Sequence, residues 1–299
     1  MTDVELVVDA RAQAGESPWW CASTQTLLWV DIHGCSIHRF DPATRRDAAF
    51  DAPDLVGFVA THRQGGLVVA LRDRVVHADR LLRDFVTIAV PPLQPGQRLN
   101  DGTIDATGCL WIGALDPTRP GAALFRIDRG GRCETKVTGL RRSNGLAFST
   151  DGRVLYLSDS HPDVRTVWAF DVDIASGALA NRRVFVDTHG LPGRPDGACV
   201  DAEDHYWMAA VDGGCLLRFA PDGGLVDRIA VPVEKPSKPA FGGGDLQDLY
   251  VTSLSRDLAR PIAEQPHAGG LFRLRASVKG APLPDCAIDL RVAAARTGS

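Results

Sequence analysis

Glu16, Asn144 and Asp196 are the residues of this chain whose types and placement could hold a cation. They open three short apolar runs, in AGESPWW, SNGLAF and RPDGACV, and supply two carboxylates and an amide carbonyl, with Asn100 of RLNDGT as a further oxygen. Hard oxygen donors of this kind suit calcium, magnesium or manganese, and a partly solvated site also takes zinc. Turn capping explains one such residue alone, since Asn, Asp and Ser cap turns widely. It does not require a Glu just before Ser-Pro, nor Asn-Gly and Asp-Gly at the start of buried strands. Two carboxylates converging to about 5 Å at an effective dielectric of about 20 repel by roughly 3 kcal/mol, and one divalent metal ion reverses that sign. We therefore expect a divalent cation at Glu16, Asn144 and Asp196.

The elements that must position these residues form a repeat. RLNDGTIDATGCLWIGALD, SNGLAFSTDGRVLYLSDS and RPDGACVDAEDHYWMAAVDGG each run from a polar residue through a short strand and a turn to a strand bearing Trp or Tyr. Aligning the residue after each turn gives Trp29, Val69, Trp111, Tyr156, Trp207 and Tyr250, about 40 to 50 residues apart. Each unit adds a third strand and often a fourth, such as SIHRFDP or TVWAFDVD, ending in Asp-Pro, Gly-Gly or Asp-Gly turns. Six such units predict an all-β fold, a six-bladed β-propeller of four-stranded antiparallel blades, with residues 1–299 as one domain and no helix. The strand ELVVDA, from Glu5 to Ala10, has no partner in its own unit and is expected to complete the last blade beside GLFRLRA. The first strand of each propeller blade lines the channel, so Glu16, the Val56-Gly57 step, Arg98 with Asn100 and Asp101, Asn144, Asp196 and Lys238 should gather at one mouth.

A net charge of −4 argues against a nucleic-acid partner or an anionic membrane surface and favours a small molecule. MTDVELVVDA has neither the cationic start nor the apolar run of a secretory signal, which predicts a cytoplasmic protein, monomeric or weakly dimeric. The seven cysteines lack zinc-finger spacing and are expected to be reduced. GGGD at Gly242 to Asp245 reads as a hairpin turn. Of the histidines only His161, in SDSHP, is placed to reach the mouth. No Gly-x-Ser-x-Gly elbow or His-Glu-x-x-His helix occurs, so serine nucleophile chemistry has no support.

Taken together, GESPWW, RLNDGTIDATGCLWIG, SNGLAFSTDGRVLYLSDS, RPDGACVDAEDHYWMAAVDGG and KPAFGGGDLQDLYVTS resemble the regucalcin (senescence marker protein) and gluconolactonase family of sugar lactonases, over nearly the whole chain. The resemblance implies a six-bladed propeller with one divalent metal in its channel and hydrolysis of a sugar lactone to the open-chain acid. It places metal ligands at Glu16, Asn144 and Asp196, substrate contacts at Arg98 and Asn100, and a general acid/base at Asp196. Asp101 and His161 join these as substrate-side candidates. A carboxylate bound to a cation is a weaker base than a free one, so the metal's identity bears on the mechanism.

Regucalcin-like members have a substrate-facing Glu shortly after the strand that here reads CLWIGAL. This chain continues DPTRPG, with Thr118 near that place, which would remove a repulsion of roughly 3 kcal/mol toward an anionic substrate at about 5 Å. The stretch from Ser158 to Gly197 resembles bacterial members that open lactones of aldaric acids, whose free carboxylate Arg98, with Arg194 or His161, would bind. Aldonolactones are the competing substrates. A hydrolase of aryl esters or phosphotriesters and a non-catalytic calcium-binding propeller are the alternative readings.

Overall fold

The computed structural model describes residues 3–116 and 118–291. Each apolar run stops at a residue suited to a tight turn: Gly65 and Gly66, for example, take φ of 88° and 73°, the left-handed region that glycine enters without steric cost. The chain therefore folds into successive antiparallel hairpins. They assemble into six four-stranded sheets, at residues 15–51, 56–89, 98–140, 143–187, 194–230 and 236–275, numbered here as blades one to six. This is a six-bladed β-propeller. The six aromatic or apolar marker residues all lie on the second strands of their blades.

Glu5–Val8 closes the ring as expected, pairing antiparallel with Leu271–Arg275 and setting Glu5 opposite Arg273. An ion pair of 2.7 Å fastens the two strands. The connection after Arg256 carries a 3-10 turn at Ile262–Glu264. Among the described residues no helix is long and apolar enough to cross a membrane. The cysteines are free thiols.

The innermost strands are Gly15–Cys21, Val56–Thr61, Arg98–Ile104, Ser143–Phe148, Arg194–Val200 and Pro236–Gly242. All six shift register within their first few residues. A β-bulge frees a residue from the ladder and re-aims its side chain, and here Asp101 and Asp196 fall inside the shifted steps while Glu16 and Asn144 border them. Close approach at the axis also demands glycine. A Cβ on Gly57 would lie 2.6 Å from the Asn100 carbonyl oxygen, and one on Gly197 would lie 2.4 Å from Lys238 Cβ.

Aromatic pairs seal the joints between blades: Trp19 with Phe58, Trp111 with Phe148, Tyr156 with Tyr206, Trp207 with Phe241 and Trp20 with Tyr250. Within blades three and five one buried carboxylate ties turn, second strand and third strand together. Asp105 accepts from the Thr107 and Cys109 backbone N–H groups, from Trp111 Nε1 and from Arg126 Nε. Asp201 repeats this with Glu203, His205, Trp207 Nε1 and Arg218.

Asp201 is fully buried, so Asp201→Ala strands a largely buried guanidinium and an indole N–H. We expect a loss of about 3–5 kcal/mol in urea unfolding. A loss below about 1 kcal/mol would show that the carboxylate is not a structural tie.

Candidate active site

At one mouth of the channel the inner strands enclose a cavity of about 670 Å³ whose wall includes Glu16, Arg98, Asn100, Asn144 and Asp196. The repeat position thus brings five of the candidate residues together, from blades one, three, four and five. Glu16 and Asp196 are 8% and 7% exposed. Burial, and then the charges of Asp196 and Asp101, hold the Glu16 carboxyl well above the usual carboxylate range. Burial likewise pushes Asp196 up to about 7, against a smaller downward pull from Arg194 and Arg142.

Asp101 lies beneath this cavity rather than in its wall. One of its oxygens pairs with Lys238 Nζ and the other accepts from the Leu146 backbone N–H at 2.9 Å. Both of its oxygens are engaged at the floor of the channel, and Asp101 is not brought into the cavity wall with the other candidates. Beyond Lys238 a second cavity of about 600 Å³ opens, walled by apolar residues such as Trp19, Ile104, Phe148 and Phe241 and by residues 281–284.

The donor set fits a divalent cation. Glu16 and Asp196 bring two buried carboxyl groups of raised proton affinity to the cavity wall, and a bound cation would take the place of their protons. Asn144 donates from Nδ2 to Asp196 Oδ1. A half turn of the amide exchanges nitrogen for oxygen at nearly the same position, the orientation in which Asn144 adds a third oxygen to those of Glu16 and Asp196. A second acidic group, Asp201, Glu203 and His205, brings its ligand atoms within 4.8 Å of one another. Arg218 already occupies it, with Nη2 at 2.7 Å from Asp201 and 2.9 Å from Glu203, so its positive charge is supplied from within.

Arg98 leans on its own strand, donating from Nη1 to the Leu99 carbonyl at 2.9 Å and to Asn100 Oδ1 at 2.8 Å. Asn100 in turn donates to the Ser143 carbonyl at 2.9 Å, which leaves it one N–H and one lone pair for a ligand. Burial, and next the neighbouring Arg142, lower the Arg98 pKa to about 10.

Two expected contacts lie outside the cavity wall. Thr118 is exposed, and its N–H and hydroxyl both bond Asp116 Oδ1 at 3.0 Å. The loop after CLWIGAL folds onto that buried aspartate instead of turning Thr118 inward. The His161 ring is packed against Arg141 Nη1 at 3.1 Å and beside Asp163. Arg194 does line the cavity, but Asp212 and the Ser160 carbonyl take its guanidinium.

Sequence reasoning missed Arg142, His33 and Arg256, all in the wall. For Arg142 a signal exists: Arg98-Leu-Asn100, Arg142-Ser-Asn144 and Arg194-Pro-Asp196 repeat an arginine two residues before the polar position in three consecutive blades. His33 and Arg256 come from turns and have no repeat counterpart.

The raised pKa of Asp196 fixes a sign. Folded Asp196 binds its proton more tightly than the unfolded chain does, so metal-free protein is favoured below the ordinary carboxylate pKa and loses stability as pH rises toward about 7. Between pH 5 and 7 this amounts to about 2 kcal/mol. His33 and His62, whose pKa values are lowered first by burial, act in the opposite direction. The difference between wild type and Asp196→Asn in urea unfolding with chelator cancels the histidines, and we expect it to change by about 2 kcal/mol across that range. Parallel pH profiles would contradict the burial of an ionisable Asp196.

Residues 14–255 match the SMP-30/Gluconolactonase/LRE-like region family. The chain is similar to pentonolactonase XacC of Haloferax volcanii, 35% identical over 291 residues that cover 93% of this chain and 96% of that protein. It is also 35% identical to the 6-deoxy-6-sulfogluconolactonase of Pseudomonas putida, over 94% of this chain and 97% of that protein. Among solved structures, the calcium-binding protein regucalcin of Agrobacterium tumefaciens superposes with a TM-score of 0.90 at 26% identity, covering 95% and 97% of the two chains. By sequence and by architecture the chain belongs to the SMP-30/gluconolactonase/LRE-like family.

Proposed function

We propose that the cavity hydrolyses the ester bond of a sugar lactone, an aldono- or aldarolactone, to the open-chain acid, with one divalent cation as cofactor. The observation that carries this reading is the pair of buried carboxylates, Glu16 and Asp196, with raised proton affinity at a mouth that also offers Asn144, Asn100 and Arg98. A pentonolactonase and a sulfogluconolactonase among the relatives support it.

Glu16, Asn144 and Asp196 would hold the cation. When bound, it supplies Lewis acidity toward the lactone carbonyl oxygen. Arg98 and Asn100 hold sugar oxygens and orient the ring, with Arg98 steadied by Asn100 Oδ1. Asp196 takes a proton from the attacking water at a carboxylate oxygen. The water oxygen bonds to the carbonyl carbon, the ring C–O bond breaks, and Asp196 returns the proton to the departing ring oxygen.

Asp196→Ala should lower kcat for gluconolactone or a pentonolactone by about 100-fold or more, with unfolding midpoint and circular dichroism like those of a folded propeller. Unchanged hydrolysis removes Asp196 from the mechanism. Chelation should abolish acid release, and a divalent cation should restore it. Tight cation binding with no turnover of any lactone would instead favour the non-catalytic calcium-binding reading.

A further inference from the structure

The cavity mouth is crowded with cations, and most have acids of their own. Arg72 pairs with Asp54 at 3.0 Å and Arg256 with Asp257 at 3.0 Å, while Arg194 and Lys235 share Asp212 at 2.7 and 3.0 Å. Arg98 and Arg142 differ. Among the described residues neither has a carboxylate partner; Arg98 commits Nη1 to oxygens of its own strand and leaves Nε and Nη2 without acceptors. The Arg142 guanidinium makes no hydrogen bond or ion pair within that same set.

The backbone fixes their spacing. Leu115 pairs with Arg98 on one side and with Arg142 on the other, which places the two backbones about 10 Å apart across one intervening strand end. Between such long side chains there is room for an anion. Ser160 adds an independent sign. It lines the same cavity, is 1% exposed, and its hydroxyl has no partner, although its backbone N–H is tied to the Arg142 carbonyl at 3.0 Å. Buried donors are ordinarily paired, and neighbouring guanidiniums repel. Arg142 and Arg98 feel the charges of Asp196 and Glu16 across the cavity, but no carboxylate oxygen among the described residues pairs with either guanidinium, so with Ser160 three donors in one wall lack an acceptor.

We propose that Arg98, Arg142 and Ser160 form a subsite for an anionic group on the sugar, separate from the lactone carbonyl: a carboxylate, or a sulfonate or phosphate ester, which likewise offer negative charge and acceptor oxygens. Planar guanidinium forks bind such groups through paired, charge-assisted hydrogen bonds. Arg194 is not part of this subsite, because Asp212 already neutralises it, and His161 lies outside the cavity wall. The inference rests on the lactone reading for the rest of the ligand.

Two measurements test it separately from that reading. In the first, kcat/KM is compared for a lactone ending in carboxylate and the same lactone ending in hydroxymethyl, with a sulfonate-bearing lactone as a third arm that separates planar from tetrahedral anions. Wild type should favour a charged substrate at least tenfold, and Arg142→Gln should lower that ratio at least tenfold. Arg142→Lys should retain part of it and Ser160→Ala should reduce it about threefold. A wild-type preference for the neutral lactone, or an unchanged ratio in Arg142→Gln, overturns the subsite while leaving the hydrolase intact.

In the second, calorimetry on cation-loaded protein compares a sugar dicarboxylate with the corresponding monocarboxylate. A tighter dicarboxylate whose advantage shrinks at least tenfold in Arg142→Gln supports the subsite, even if no lactone is turned over and the hydrolase reading fails. Equal affinities overturn it.

Discussion

Like charge confined where water cannot screen it is the constraint to which the centre of this ring answers. Glu16 and Asp196 enter from opposite ends of the repeat, blades one and five, and Asp101 comes up beneath them. Lys238 neutralises only the last. The remaining pair is held together by the packing of the blades, and its burial is relieved by protonation, which the raised proton affinity of both groups favours, or by a bound cation. The Asn144 amide, able to offer either a donor or an acceptor, suits both the protonated and the cation-bound condition of its neighbour Asp196.

The scaffold can impose this because the ring's innermost strands are bulged at one level and thinned by glycine. Without the bulges the residues now facing the axis would stay in the ladder, alternating with the strand's regular pleat. Without Gly57 and Gly197 the neighbouring strands would be forced apart at their closest approach. Further out, the Asp105 and Asp201 knots brace blades three and five, which carry Arg98 and Asp196. Rigid support close behind a site holds its geometry better than loops do.

Much of this was legible in the sequence, for a physical reason: a repeat position is a place in space. Trp29, Val69, Trp111, Tyr156, Trp207 and Tyr250 marked the blades, and ELVVDA lacked a partner until the ring closed. Glu16, Asn144 and Asp196 shared a position in the unit and therefore share a cavity. Residues placed by proximity along the chain and not by the repeat position are not brought into the cavity wall. Thr118 and His161 follow strand ends that lead to the mouth, yet Asp116 draws the first into its own loop and Arg141 and Asp163 engage the second. Arg142 obeys the repeat but was overlooked beside the more conspicuous Asn144. Asp201 reads in the sequence as turn chemistry. Its bonds to Trp207 and Arg218 depend on strands that only folding brings alongside.

The Asp101–Lys238 pair lies between the two cavities. The wall of the upper one carries six cationic side chains, of which Arg98 and Arg142 have no carboxylate at ion-pair distance among the described residues. Ring opening would convert an ester into a carboxylate, leaving the departing molecule one negative charge richer than the one that entered. The field that hastens capture would therefore slow escape. Product release would then share in setting the pace of turnover, and salt in the medium, by weakening that field, would trade affinity for speed.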